Sequence, residues 1–253
     1  MIASSRSATT RRGFTLVELA TVLFIVALLL GGLMYTLSAQ TEQRGRDETA
    51  RRLNEARELL LSFAIVNGRL PCPASAATSG QESPVGGACT NSYSGFLPAR
   101  AIGMQSDSSG YALDAWGNRL RYAVSSTTWT AGAGRFTTGH TTTAWNVSQA
   151  PADLIVCASW GGSAANCAGA TPVTNASVVV AVVWSQGKNF PTIGADGDDE
   201  KANHKGIAAN NHPVFVWHEL APPGAGGGEY DDMMVWIPVG LLYGRMVAAG
   251  VLP

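Results

Sequence analysis

Charge is scarce in this chain: 14% of its 253 residues are Asp, Glu, Lys or Arg, and 17 basic against 18 acidic side chains leave a net charge of −1. No strong basic field therefore argues for a nucleic-acid partner. Proline is absent ahead of Pro71, so nothing before it forbids one continuous helix. The motifs GxSxG, GxxxxGK and GxGxxG do not occur, which removes the common serine-hydrolase, P-loop and dinucleotide sites. The four cysteines, Cys72, Cys89, Cys157 and Cys167, never fall as CxxC, which argues against a zinc knuckle or a thioredoxin-like pair. His140, His204, His212 and His218 match no HExxH-like spacing, so they read as solvated loop residues and no catalysis is expected.

What the chain does have is one long apolar run near its start. "RRGFTLVELATVLFIVALLLGGLMYTL", residues 11 to 37, places two arginines and a glycine before a stretch whose one charge is Glu18. A helix over residues 14–37 rises about 1.5 Å per residue, roughly 36 Å in all, enough for a hydrocarbon core of about 30 Å. The arginines on its N-terminal side place that end in the cytoplasm and the rest of the chain outside. An ordinary secretory signal ends in a small-residue cleavage site, whereas here the small residue, Gly13, precedes the apolar run. Cleavage there leaves the membrane segment attached, and losing Arg6, Arg11 and Arg12 takes the net charge from −1 to −4.

Residues 38–67 lose the membrane character without losing the helix: Leu53, Ala56, Leu60 and Ala64 form one apolar stripe on a charged stalk. Gly31, Gly32 and Gly45 are weak points along it, and Asn67-Gly68 followed by Pro71 stops it. Residues 68–253 read as a β-rich head, with strands expected at 119–124, 152–159, 177–185, 213–219 and 232–239 between Gly, Pro, Asn and Ser clusters. Segment 125–147 reads as a hairpin or loop, 221–232 as a connector, and the final run "LLYGRMVAAGVLP" as helix-like or irregular, with no evident role.

The stretch "RRGFTLVEL" resembles the N-terminus of type IV pilins and of the pseudopilins of type II secretion systems. The resemblance implies a leader, residues 1–13, cut after Gly13 by a prepilin peptidase that then methylates the new amine of Phe14. It implies a partner for Glu18, the N-terminal amine of a neighbouring subunit met during assembly; the alternative is a carboxylate favoured by the dipole at its own helix start. "FAIVNGRLPCPA" (63–74) resembles the pseudopilin exit from stalk to head. "LDAWGNRLRY" (113–122) resembles the major pseudopilin's turn and strand, in which the Asp caps a turn, the Trp packs the sheet and Gly-Asn supplies positive φ. "SQGKN" (185–189) and "DDMMVW" (231–236) look like two further segments of that protein. Major pilins and pseudopilins usually carry a proline in the membrane helix, and this chain has none there.

The expected fold is α+β and pilin-like: a long N-terminal helix packed on an antiparallel sheet with long loops. An exported head with four cysteines suggests two disulfides, of three connectivities open, with the sequence-local pairs Cys72–Cys89 and Cys157–Cys167 expected. In the major pseudopilin the head binds calcium. Carried over, its ligand positions fall on Asn189 and on Asp231 or Asp232, with Asp196 and Asp198 of "IGADGDDE" as further donors; a plain solvated acidic turn is the competing reading. The partners implied are the prepilin peptidase, the inner membrane, further copies of the chain and other pilin-like subunits. The function implied is that of a filament subunit. The alternative is a minor, tip-located pilin whose head holds DNA, a surface or a secreted protein through Trp129, Trp145 and Trp160.

Overall fold

The computed structural model describes residues 13–128, 135–138, 151–190, 197–205, 211–222, 224–225 and 227–252, without the side chains of 32–38. Asp196, Trp129, Trp145, His140 and most of segment 125–147 lie outside the described residues. The chain divides into two units, Met1–Gly45 and Arg46–Pro253. Helix α1 (Leu16–Asn67) contributes to both and continues through Gly31, Gly32 and Gly45. It stops where the sequence says it must, because Gly68 takes φ 65°, a left-handed conformation that ends the helical ladder.

In the first unit every described side chain from Gly13 to Gly31 is exposed. Among the described residues no helix is long and apolar enough to cross a membrane. The apolar run of the sequence continues into residues 32–38, whose side chains are not described.

The second unit has a core of its own. Leu53, Ala56, Leu60 and Ala64 are at most 1% exposed and pack against Tyr122, Val124, Ala181 and Val183 of a four-stranded sheet, so the predicted stripe is the buried face of the helix. That sheet comprises β1 (Gly95–Phe96), β2 (Arg121–Val124), β4 (Val179–Ser185) and β6 (Met233–Pro238), in the order β1-β2-β4-β6, antiparallel throughout. β4 is central and buried at every residue, which is why "VVAVVWS" runs apolar instead of alternating. Val182 and Trp184 leave the helix face and meet Leu154, Val156 and Phe215 on the other side. There β3 (Ile155–Cys157) and β5 (Val214–Val216) form a separate parallel pair, which the sequence does not announce. Between these strands lie two short helices, α2 (Ala99–Ile102) and α3 (Asp198–Asn203).

The run without an evident role is helix α4 (Val239–Ala248), which buries Val239, Leu242 and Met246 in the core of α1 and sets Arg245 3.2 Å from Glu58. Disulfides join Cys72 to Cys89 and Cys157 to Cys167. Beside the first, Arg69 donates two hydrogen bonds of 2.7 Å to Glu82, whose Oε2 also accepts the Cys72 N–H. Charge-assisted bonds of this kind hold the chain as it leaves the helix.

Candidate functional sites

At the N-terminal site, Thr15 and Glu18 bond reciprocally. The Glu18 N–H donates to Thr15 Oγ1 at 3.2 Å, and the Thr15 N–H and hydroxyl donate to Glu18 Oε2 at 3.1 and 3.0 Å. This is a capping box, a Thr and a Glu three residues apart that satisfy donors at each other's end of the first turn. It gives the carboxylate a partner inside its own chain, a use that the sequence reading missed although "TLVE" spells the S/T-x-x-E pattern. Nothing lies within 4 Å of the place a Cβ on Gly13 would take, so any requirement for glycine there comes from outside the chain. Phe14 is 87% exposed.

In the second unit the segments "LDAWGNRLRY", "SQGKN" and "DDMMVW" meet at one corner. Asp114 caps its turn, accepting the N–H groups of Trp116 and Asn118 at 2.9 and 2.8 Å, while Gly117 takes φ 88°. Trp116 is half-buried. The other Asp114 oxygen accepts the Ser185 hydroxyl at 2.6 Å, and Asn118 Nδ2 donates to the Gly187 carbonyl at 2.6 Å, so the turn clasps the loop that follows β4. Burial raises the Asp114 carboxyl above its usual range, against the lowering effect of those hydrogen bonds. From α1, Arg52 closes the same turn by donating to the Leu113 and Asp114 carbonyls at 2.7 and 3.0 Å.

That loop delivers its backbone to a group of carboxylates. Asp231 Oδ2 accepts the N–H groups of Lys188 and Asn189 at 2.7 and 3.3 Å. Glu200 Oε1 accepts the Asp231 N–H at 2.6 Å, and Asn189 Nδ2 donates to Glu200 Oε2 at 3.1 Å. Asp232 Oδ2 accepts Asn203 Nδ2 at 2.8 Å. Glu200 and Asp232 are 5% and 4% exposed. Ligand oxygens of Glu200, Asp231 and Asp232 lie within 4.8 Å of one another, the metal-competent group among the described residues. Asp231 Oδ1 is buried and accepts no hydrogen bond. Burial raises the Asp231 carboxyl above its usual range, outweighing its two backbone donors. Gly187 is required here, since a Cβ on it would stand 1.7 Å from Asp231 Oδ1.

The structure thus brings together three of the expected residues, Asn189, Asp231 and Asp232, and adds Glu200. Asp198 stands apart: its side chain is 84% exposed and lies 3.6 Å from Lys201. Both differences follow from α3, whose first turn points Asp198 to solvent and turns Glu200 and Asn203, three residues apart, to the buried side. A helical reading of "DDEKAN" would have found that face.

Among the described residues the histidines do not gather into one group with metal-competent spacing. His212 is buried with Lys205 Nζ 2.9 Å from its Nδ1, and burial, then the neighbouring lysine, holds its pKa down at about 4. His218 Nε2 lies 3.3 Å from Asp199 and its ring packs on Tyr230. Trp160 is half-buried and stacked on His212 at 5.0 Å, so it is not the exposed aromatic expected of a ligand-holding head.

Residues 9–34, which include Gly13, Phe14, Thr15 and Glu18, match the family model described as the prokaryotic N-terminal methylation motif. The chain carries that motif. It is typical of type IV pilins and pseudopilins, and it implies a pilin-like subunit processed by prepilin peptidase, anchored in the inner membrane through its N-terminal helix and assembled with other pilin-like subunits. The α+β fold, with the long helix on a four-stranded antiparallel sheet, has the pilin-like arrangement. Pilin-like chains are in general structural subunits and not enzymes. No curated protein and no solved structure matches the chain.

Proposed function

We propose that this pilin-like chain is a structural subunit of a filament, either a type IV pilus-like fibre or a type II secretion pseudopilus. It enters the inner membrane as a prepilin with residues 14–37 in the bilayer, is cut after Gly13, and polymerises through its N-terminal helix. The observation that carries this reading is the exposure of Leu16, Val17, Leu19, Leu23, Phe24 and Leu28, each more than half exposed in a single chain. An apolar helix surface of that extent is stable only in lipid or against other subunits. In membrane-extracted protein, the intact mass should correspond to residues 14–253 plus one methyl group. An N-terminus elsewhere would sink the reading. Abundance in sheared filaments then separates a major subunit from a minor, tip-located one.

The head of this subunit carries a calcium site at Glu200, Asp231 and Asp232, with the side-chain oxygen of Asn189 completing it once the amide turns over. The support is chemical. Calcium takes oxygen donors at about 2.3–2.6 Å, so two donors on one ion are at most about 5 Å apart. The three carboxylates meet that limit, and Asp231 Oδ1 has no other partner. A bound ion joins the loop after β4 to the start of β6 and so holds the corner shut. In thermal melts of the full-length mature protein, millimolar calcium should raise Tm over the chelated sample. At a hundredfold excess over Kd the gain is about 2.7 kcal/mol, roughly 5–10 °C for a domain of this size. Asp231→Asn should abolish the response. A Tm indifferent to calcium would leave an acidic corner and no site.

A further inference from the structure

Among the described residues β6 ends its sheet: it pairs with β4 on one side, and the order β1-β2-β4-β6 places no strand on the other. Along that open side run two cavities, of about 610 and 330 Å³. The larger is walled by Leu53 and Asn54 of α1, by Trp217 and Leu220, and by four consecutive residues, Asp232 to Val235. The smaller shares Met234 and Val235, adds Trp236 and Pro238, and has Arg57 on its helix side. Successive side chains of a strand point to opposite faces, so a cavity that touches consecutive residues lies along the strand's edge and not over a face. The two cavities therefore form one groove between the unpaired edge of β6 and the helix, about 20 Å long for six residues of strand.

Open edges in soluble domains are usually blunted by charge, by a bulge or by an interior proline. "MMVWIP" has no charged residue, and its proline comes last. The walls are apolar where the edge is bare: Trp217 and Leu220 are 37% and 42% exposed, and Trp217 rests edge-on against Trp236 at 5.8 Å. The ends differ in sign. Exposed Glu219 lies at the β5 end of the groove, while at the other end Arg57 Nε is buried without a hydrogen bond, 3.9 Å from Glu58.

Going beyond the filament role, we propose that this groove binds an extended segment of a different polypeptide, which adds to β6 as a fifth strand. The open edge supplies backbone hydrogen bonds, and the pockets take alternate apolar side chains. A lysine or arginine of the segment lies against Glu219 and the Trp217 ring, and a carboxylate or carbonyl meets Arg57. A second copy paired edge to edge about a two-fold axis is the competing occupant; such a pairing closes at two and does not propagate a filament.

The test uses the full-length mature protein in lipid nanodiscs. The probe is a capped peptide alternating valine and threonine, with one lysine near one end and one glutamate near the other. Saturable binding with slowed hydrogen exchange at residues 233–237 is expected. Affinity should fall by about tenfold with Glu219→Lys, a surface change that leaves the core untouched, and comparably when alternate peptide amides are N-methylated. Absence of binding overturns the proposal, as does binding indifferent to N-methylation. Protection of β6 that rises with protein concentration in the peptide's absence would assign the groove to a second copy and overturn it equally.

Discussion

Glu18→Ala should leave the protein in the membrane and reduce its filament yield by about an order of magnitude or more, and Glu18→Gln should do nearly as much damage. The two substitutions separate two roles of one carboxylate. Within the chain, Glu18 accepts the N–H and hydroxyl of Thr15 and closes a capping box. Glutamine can close the same box, so Glu18→Gln keeps the helix start and deletes only the charge. Between chains, the proposed partner is the positively charged amine of Phe14 in a neighbouring subunit, and an uncharged amide keeps at most a hydrogen bond to it and loses the ion pair. Removing a charge from an apolar segment makes insertion easier, not harder, so membrane content should hold in both variants. The measurement is the ratio of sheared filament protein to membrane-retained protein. Wild-type filament yield from Glu18→Gln would reduce Glu18 to a helix cap and discard the pairing.

Opening both disulfides should lower the melting temperature of the full-length protein by about 12–24 °C. Cys72–Cys89 and Cys157–Cys167 close loops with sequence separations of 17 and 10. Each constrains the unfolded chain by about 3 kcal/mol in the chain-entropy account, and in a domain of this size each kcal/mol moves Tm by about 2–4 °C. The two bridges tie separate regions, so their effects should add. The first fixes the exit from α1 beside the Arg69–Glu82 pair; the second anchors the end of β3 among Ile155, Val214 and Trp160. Melts of Cys72→Ala/Cys89→Ala, of Cys157→Ala/Cys167→Ala and of the fourfold variant give the three numbers needed. A fourfold variant that melts within a few degrees of the wild type would show that the core alone sets the stability of the head.

Long periodic features are legible in the amino-acid order alone. The apolar stripe Leu53, Ala56, Leu60 and Ala64 is the buried face of α1, because a helix repeats its neighbours at fixed spacing whatever it later packs on. Five expected strand segments contain β2 to β6, since a strand buried on one or both faces must carry its apolarity in its own sequence. The strand β1, two residues long, carries no such signal, and neither does the parallel pairing of β3 with β5. Parallel pairing joins residues some sixty positions apart in this chain, and no local pattern records it. Helix α4 is only half legible, its run reading as helix-like or irregular, for a different reason: its glycines at 240 and 244 weaken the propensity signal, and packing against the core overrides it.

The sequence by itself determined the N-terminal motif of this protein. Gly13, Phe14 and Glu18 define it through their order along the chain, so neighbours in sequence suffice. It likewise determined the stalk helix, whose periodicity is local. Only the tertiary structure decided the carboxylate corner. Asn189, Glu200, Asp231 and Asp232 come from three separate segments. Whether an acidic side chain faces solvent, as Asp198 does, or turns inward, as Glu200 does, depends on the phase of a six-residue helix too short to declare itself by periodicity. The groove beside β6 is tertiary for the same reason: a strand's sequence shows which face is buried, but its place at the edge of a sheet is set by which partners the rest of the chain supplies.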